Sequence, residues 1–163
     1  MQKKNTLAKK KIPAALYKKF LETMPVCCVD IVFRSGRKVF LFKRAYEPEK
    51  DEWWVIGGRV LRGETLKEAV IRKVKEEVGV KAKISKMVGV YEYFSKVNRF
   101  DSGRKGKGTH NIIICFEAEP IAKNFKFKLN EEYKGYKAIK GVYTGLHPYV
   151  KKMLKDSGFR LIT

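Results

Sequence analysis

The stretch that decides the fold is GRVLRGETLKEAVIRKVKEEVGV, which runs from Gly58 to Val80. The TLKE motif that begins at Thr65 is a capping box, in which the threonine hydroxyl and the glutamate carboxylate each accept a hydrogen bond from the other residue's amide. No glycine or proline follows until Gly79, which can adopt the left-handed conformation that ends a helix. The sequence therefore predicts a helix of about fourteen residues from Thr65 to Val78.

Two neighbouring glutamates lie near the end of this predicted helix. At about 100° per residue, the apolar side chains form one core-facing stripe, and Glu77 falls within it. An ionised carboxylate there costs several kcal/mol unless a cation compensates it. Glu76 lies nearer the polar face, so the edge of the core carries two adjacent carboxylates. Such a pair suits cations that prefer oxygen ligands, Mg²⁺ or Mn²⁺. The alternative is an ordinary surface helix, which the position of Glu77 and the glycine loop make the weaker interpretation.

Length and composition indicate one cytosolic domain. A chain of 163 residues with 44% apolar content can build a single core. We expect one domain over residues 1–163, with an N-terminal helical extension at about residues 1–25. The first residues lack the apolar stretch of a signal peptide, and no apolar run is long enough to cross a membrane. The three cysteines have no zinc-binding spacing and look like reduced thiols. A cytoplasmic protein without membrane contact is expected.

The net charge of +20 at pH 7 has two interpretations. It attracts polyanions, including nucleic acid and phosphorylated metabolites, or it reflects the lysine-rich surface that is common in thermophiles. The basic residues form no single block with interleaved aromatic residues beyond the amino-terminal lysines. We favour the second interpretation, a lysine-rich surface without a specific partner. Nucleic acid is therefore a possible partner but not the favoured one.

Hydrophobic patterning along the rest of the chain predicts a mixed α/β fold. Apolar residues at helical spacing predict helices over 12–24 and 148–155. Runs rich in β-branched and apolar residues predict strands over 26–33, 38–42, 53–56, 81–94, 111–118 and 136–139. The polar stretch 95–109 contains several glycines and predicts a long loop. This order of helices and strands predicts an α/β/α sandwich with a mixed β-sheet.

The segment from Gly58 to Val80 resembles the Nudix box, the signature of the Nudix hydrolase family. The box specifies a glycine, a glutamate, an arginine followed by a glutamate, a glutamate pair and a final glycine. The residues at the required offsets include Glu64, Arg72, Glu76 and Glu77. Lys73 stands where the box has the first glutamate after the arginine. The resemblance implies a Nudix-like sandwich and Mg²⁺-dependent hydrolysis of a nucleoside diphosphate linked to another group.

Other segments are similar to those of one Nudix subgroup, the GDP-mannose mannosyl hydrolases. These segments are Val29-Asp30-Ile31-Val32, Lys43-Arg44, residues 54–60 and Gly108-Thr109-His110. The box of that subgroup is also degenerate after the arginine. Its members release GDP by attack at the sugar carbon, whereas ordinary family members attack phosphorus. The resemblance therefore implies an enzyme that hydrolyses a small-molecule nucleotide sugar such as GDP-mannose.

The resemblance also implies roles for individual residues. The metal ligands would be the carbonyl of Gly57 and the carboxylates of Glu76 and Glu77. Arg44 and Arg59 would hold the diphosphate, because guanidinium forks pair with phosphate oxygens. Arg59, Glu76, Glu77 and Glu132 would form the catalytic set. Asp30 interrupts an apolar run, so it faces either a pocket or solvent, and we favour a substrate-binding pocket.

The general base is expected in the loop before the last strand. The mannosyl hydrolases carry a histidine there, whereas residues 129–133 contain none, so Glu132 or Glu131 would serve. That departure favours cleavage at phosphorus, as in an ADP-ribose pyrophosphatase or another nucleoside diphosphate pyrophosphatase. His110 lies near the predicted site but opens a strand, where a histidine is more often structural.

Lys73 bears on the number of metal ions. A base in place of an acid predicts fewer ions, with the ammonium partly substituting for a cation. The alternative is a simple ion pair with Glu77 one turn along the helix. Lys73 and the net charge also favour a third hypothesis, a non-catalytic module that binds a nucleotide or RNA. The sequence leaves the base, the sugar and the oligomeric state open, including a homodimer.

Overall fold

A computed structural model describes residues 12–101 and 107–162. Within these residues the chain forms three helices and a sheet of seven strands. The helices are α1 (Ala14–Thr23), α2 (Leu66–Val78) and α3 (Pro148–Asp156). The strands are β1 (Val26–Ser35), β2 (Lys38–Arg44), β3 (Trp53–Trp54), β4 (Ile56–Arg59), β5 (Ala82–Ser95), β6 (Thr109–Pro120) and β7 (Tyr133–Ile139). The first part of the predicted N-terminal extension and the middle of the predicted loop over 95–109 lie outside the described residues.

The sheet is mixed, and its main path runs in the order β3-β2-β1-β6-β5. Strand β1 pairs with β6 in parallel and with β2 antiparallel, and β5 pairs with β6 antiparallel. Strands β4 and β7 lie off this path, where they pair with β1 and β2 respectively. The predicted α/β fold with a mixed sheet is therefore confirmed. Among the described residues, no helix is both long enough and apolar enough to span a membrane.

The sheet is covered on both faces by helices. Successive strand residues point to opposite faces, so β1 and β2 contribute to two separate cores. The core on the α2 face includes Ile31, Phe33, Phe42, Val70 and Val74. The core on the α3 face includes Val32, Leu41, Val150, Met153 and Leu154. This arrangement is the α/β/α sandwich that the element order predicts.

Helix α2 begins and ends where its capping signals predict. The Thr65 hydroxyl accepts a hydrogen bond from the Glu68 amide at 3.2 Å, and the Glu68 carboxylate accepts one from the Thr65 amide at 2.7 Å. Gly79 follows the helix with φ of 72°, a conformation that favours glycine. Glu77 lies among the buried residues of this helix, as the helical count predicts.

The predicted strand over 53–56 is two strands that separate at Val55. β3 pairs with β2, whereas β4 pairs with β1 and contains Gly57 and Gly58. The prediction was wrong here because the chain changes its pairing partner within a few residues, which no local pattern reports. β1 pairs with β2 near its end and with β4 nearer its start. β1 therefore leaves β2 and pairs with β4, and residues of all three strands line a cavity.

Candidate active site

A cavity of about 600 Å³ opens beside the parted strands, between the ends of α1 and α2. It is lined by every residue that the sequence predicts for the site. These residues are Asp30, Arg44, Gly57, Arg59, Glu76, Glu77 and Glu132. The fold thus gathers residues from three strands (β1, β2 and β4), one helix and one loop at one place. Their chemical roles stay predictions.

Glu64 ties the glycine loop to helix α2. Its carboxylate accepts hydrogen bonds from the Leu61 amide at 2.6 Å and from Arg72 Nε and Nη2 at 2.9 and 2.6 Å. Arg72 Nη2 also donates to the Arg59 carbonyl at 3.0 Å. Burial alone would raise the pKa of Glu64, but the hydrogen bonds from Arg72 and Leu61 outweigh it and lower that pKa. This network holds the loop and is already satisfied.

Glu77 is only 3% exposed, and protein groups contact both of its carboxylate oxygens. Lys73 Nζ forms an ion pair with Oε1, and the Tyr133 hydroxyl donates to Oε2 at 2.5 Å. Burial raises the pKa of Glu77, while Lys73 and Tyr133 oppose the rise. The Lys73 side chain packs against Gly58: a Cβ at Gly58 would stand 2.6 Å from the Lys73 Cε. The glycine therefore leaves room for an ammonium that compensates a buried carboxylate.

Glu76 differs from its neighbour in exposure. Its side chain is 53% exposed and pairs with Arg72 at 3.0 Å, a contact that contributes little to stability. Within the described part of the chain, no three or more His, Cys, Asp or Glu side chains form a metal-binding group. Mg²⁺ is commonly held by one or two carboxylates together with substrate phosphates. Glu76, Glu77 and Gly57 all line the cavity, and their oxygens are of the type that Mg²⁺ prefers; their role as metal ligands stays a prediction.

Asp30 is buried at 5% exposure and lines the cavity. The Tyr149 hydroxyl donates to its Oδ2 at 3.2 Å. Burial raises the pKa of Asp30 to about 7, against the opposing effects of Tyr149 and Arg44. A Cβ at Gly57 would collide with Asp30 Oδ1, so this glycine makes the space for the carboxyl group. Near neutral pH both protonation states of Asp30 are populated.

Two arginines bring positive charge to the cavity wall. Arg44 Nε donates to the Pro48 carbonyl at 2.6 Å, which fixes the direction of its side chain. The Arg59 guanidinium lies 4.6 Å from the centre of the Tyr17 ring. Arg59 Nη1 is buried and has no hydrogen-bond partner among the described residues. An unsatisfied buried donor is costly, so this nitrogen indicates a site for an anion.

Glu132 also lies in the cavity wall, where its side chain is 27% exposed and pairs with Arg99 at 3.0 Å. The two histidines lie elsewhere. His110 stacks on Phe94 with ring centres 4.3 Å apart, and His147 caps helix α3. Neither histidine is among the residues that line the cavity. Of the groups considered as the base, Glu132 and its neighbour Glu131 are at the site and His110 is not.

Several residues that line the cavity or contact its carboxylates were not found from the sequence. Tyr133, Tyr149 and Arg99 contact the predicted carboxylates, and Tyr17 contacts Arg59. Tyr149 gives no local signal, because it lies 119 positions from Asp30 in the chain. Tyr17 and Leu21 are one helical turn apart in α1 and both line the cavity. That spacing is a signal, but it does not distinguish a cavity wall from core packing.

Comparison with known sequences finds a matching family model and similar proteins. The NUDIX domain matches residues 24–140. The low-salt glycan biosynthesis protein Agl8 of Haloferax volcanii is 33% identical over 147 residues, which are 88% of this chain and 89% of that protein. The ADP-ribose pyrophosphatase of Methanocaldococcus jannaschii is 39% identical over 102 residues, which are 63% of this chain and 55% of that protein.

Solved structures have the same fold. A MutT NUDIX hydrolase from Burkholderia pseudomallei superposes with a TM-score of 0.65 at 18% sequence identity. The superposition covers 82% of this chain and 98% of that structure. At this identity the likeness concerns the fold alone, and it agrees with the mixed sheet between helices.

Proposed function

Since the chain belongs to the Nudix hydrolase family, we propose that it is a Mg²⁺-dependent hydrolase of a nucleoside diphosphate sugar, similar to the GDP-mannose mannosyl hydrolases. The family resemblance of Gly58 to Val80 is confirmed, and the substrate is our proposal. The observation that carries it is the placement of two arginines and two adjacent carboxylates in one cavity. That combination suits a diphosphate together with a divalent cation.

We assign the diphosphate to Arg44 and Arg59. Both guanidinium groups lie in the cavity wall, and Arg59 Nη1 has no hydrogen-bond partner within the described residues. Phosphate oxygens would satisfy this donor and accept charge-assisted hydrogen bonds from both side chains. Lys73 pairs with Glu77 and so compensates one negative charge of the cavity wall. The cavity is therefore suited to a ligand that carries more than one negative charge.

We assign the metal to Glu76, Glu77 and the Gly57 carbonyl. Nudix hydrolases generally use divalent cations, and this donor set fits Mg²⁺, with Mn²⁺ as the alternative. When bound, the ion would supply charge neutralisation at the leaving diphosphate. Lys73 already pairs with Glu77, so it lowers the negative charge that the pair offers to an ion. We therefore expect one metal ion rather than several.

The proton transfers are assigned to acidic residues. Glu132 lines the cavity beside Arg99, and as a carboxylate it would accept the proton of the attacking water. Burial raises the pKa of Asp30 to about 7, so near neutral pH its protonated carboxyl group can donate a hydrogen bond to the substrate. Asp30 is proposed to bind the substrate through this carboxyl group.

A second candidate function is cleavage at phosphorus. The loop over residues 129–133 contains no histidine and two glutamates, which is the feature that favours it. The relative from Methanocaldococcus jannaschii is named as an ADP-ribose pyrophosphatase, whereas Agl8 is named for glycan biosynthesis. The first name supports attack at phosphorus and the second supports a sugar nucleotide as substrate. We retain the nucleotide sugar as the substrate class under either outcome.

The remaining expectations also stay proposals. We propose a single domain over residues 1–163 that acts in the cytoplasm, where its three free cysteines would stay reduced. Its partner is the small-molecule substrate. A homodimer remains open, and nucleic-acid binding by a non-catalytic module is the alternative that the net charge of +20 keeps in view.

A product assay tests the proposal. The protein is incubated with Mg²⁺ and a panel of nucleotide sugars, including GDP-mannose and ADP-ribose, in water enriched in heavy oxygen. Label in free sugar with GDP as the other product supports attack at carbon, and label in GMP or sugar phosphate shows attack at phosphorus. No product from any nucleotide sugar, together with salt-sensitive RNA binding, would reject the enzyme in favour of the binding module.

A further inference from the structure

Helix α1 supplies one wall of the cavity from outside the matched part of the chain. The NUDIX domain matches residues 24–140, whereas α1 spans Ala14–Thr23. Tyr17 and Leu21 in this helix both line the cavity. The site is therefore completed by a segment that precedes the matched domain.

The ring of Tyr17 is held between two groups. One is the Arg59 guanidinium, whose carbon lies 4.6 Å from the ring centre, within the distance of a cation–π contact. The other is Phe100, whose ring stands edge-on at 5.9 Å and 77°. The Phe100 amide donates to Asn98 Oδ1 at 2.8 Å, and buried Asn98 donates in turn to the Gly108 carbonyl at 3.1 Å. Tyr17 thus contacts a ring that hydrogen bonds around Asn98 hold in place within the described part of this loop.

An aromatic face suits a guanidinium that must stay available to a ligand. The ring attracts the positive charge through its π-electrons, and its face accepts no N–H in the manner of an oxygen. A carboxylate in the same place would occupy the donors and neutralise the charge, as Glu64 does for Arg72. Arg59 Nη1 is instead left without a partner among the described residues.

We propose that Tyr17 is a positioning residue, which holds the Arg59 guanidinium in the cavity so that its donors meet the diphosphate of the substrate. This inference rests on the proposed function, because it takes the diphosphate as the ligand of Arg59. Tyr17 acts through Arg59 and takes no part in bond cleavage. Its loss therefore acts mainly by weakening the binding of the diphosphate.

The test is a binding measurement that does not depend on turnover. The affinities for inorganic pyrophosphate and for GDP are measured by calorimetry for the wild type, Tyr17→Leu, Tyr17→Phe and Arg59→Gln, and for the double variant Tyr17→Leu/Arg59→Gln. Tyr17→Leu keeps an apolar side chain but lacks the ring, and we expect about tenfold weaker binding of both ligands. Tyr17→Phe keeps the ring and recovers most of the affinity. In the Arg59→Gln background, Tyr17→Leu causes no further loss.

Leu16→Ala is the matched control, since Leu16 is the neighbouring residue of α1, is 44% exposed and does not line the cavity. We expect it to change the affinity less than about twofold. The inference is overturned if Tyr17→Leu binds both ligands as tightly as the wild type, or if Leu16→Ala loses as much affinity as Tyr17→Leu. It is also overturned if adding Tyr17→Leu to Arg59→Gln weakens binding as much as it does in the wild type. Thermal unfolding of each variant confirms that the compared proteins are folded.

Turnover on the same variants separates this inference from the proposed function. We expect Tyr17→Leu to raise KM more than it lowers kcat, because the variant keeps the Arg59 side chain and loses only its support. If a nucleotide sugar is hydrolysed but the effects of Tyr17→Leu and Arg59→Gln on affinity are additive, the positioning role is rejected and the proposed function stands. If the two substitutions have non-additive effects on pyrophosphate affinity but no nucleotide sugar is hydrolysed, the positioning role is supported and the proposed function is rejected.

Discussion

A glutamate just before helix α2 and a glutamate near the end of that helix both have buried side chains, but their pKa values shift in opposite directions. Near the start of the helix, Glu64 is 8% exposed and is satisfied by Arg72 and the Leu61 amide, so its pKa is lowered. Near its end, Glu77 is 3% exposed, and its pKa is raised because burial outweighs Lys73 and Tyr133. The same type of side chain is thus fully hydrogen-bonded before the helix and incompletely compensated near its end. Under-compensation leaves Glu77 ready to gain from a cation.

Asp30 resembles Glu77, because burial raises the pKa of both carboxyl groups. Its substitution gives the largest expected effect on stability. Its folded-state pKa of about 7 lies above the usual value of 3.8, so folding favours the protonated form. That contribution is full at low pH and is lost as pH rises from about 4 to about 7. We expect the stability of the wild type to fall by about 2 to 4 kcal/mol relative to Asp30→Asn over that range. Urea unfolding of both proteins at several pH values measures it, and parallel curves would contradict it.

Glu77→Gln tests the cavity end of the comparison. We expect turnover to fall at least about a hundredfold, which corresponds to about 2.7 kcal/mol of barrier, because a charged metal ligand is removed from a buried position. Glu76→Gln is the control, and its half-exposed side chain predicts a clear but smaller loss. Steady-state kinetics over a range of Mg²⁺ concentrations measures both. Rates within a few-fold of the wild type for both variants would refute the proposed metal site.

Glu64→Gln tests the bracing end. We expect a loss of about 2 kcal/mol in unfolding free energy at pH 7, because Arg72 keeps its charge and loses the more buried of its two carboxylate partners. The lowered pKa of Glu64 means that its contribution is present above its usual value and is lost as pH falls. The slope is therefore opposite to that of Asp30. Glu119→Gln removes an exposed ion pair with Lys83 and should change stability by less than about 0.5 kcal/mol. Equal losses would mean that Glu64 is no brace.

Lys73→Glu gives the smallest expected effect and sharpens the account of Glu77. Restoring an acid beside Glu76 and Glu77 should raise the affinity for Mn²⁺ or Mg²⁺ about tenfold, equivalent to about 1.4 kcal/mol, or add a second ion. Lys75→Glu makes the same change of charge on the exposed side of the helix, away from the cavity. Calorimetry that finds the same stoichiometry and affinity in Lys73→Glu and the wild type would reject a cation-substituting role for Lys73.

The sequence predicted what short-range geometry determines. The bounds of α2 follow from Thr65 and Gly79, and the burial of Glu77 follows from the helical period, so both were readable within a few turns. The contacts of Asp30 with Tyr149 and of Arg59 with Tyr17 join distant parts of the chain, and no periodicity encodes them. The break at Val55 was missed for the same reason, since it depends on which strands β3 and β4 pair with.

The parting of β1 from β2 has a consequence for how this scaffold can change. The main-chain ladders of β1 with β4 and of β2 with β3 and β7 set the opening, so the side chains around it are not what keeps the sheet apart. Exposed residues at the rim, such as Glu76, can therefore be exchanged with little loss of folding stability, whereas the buried Asp30 and Glu77 cannot. Such a scaffold allows new ligand preferences to evolve by substitution at the rim while the backbone stays unaltered.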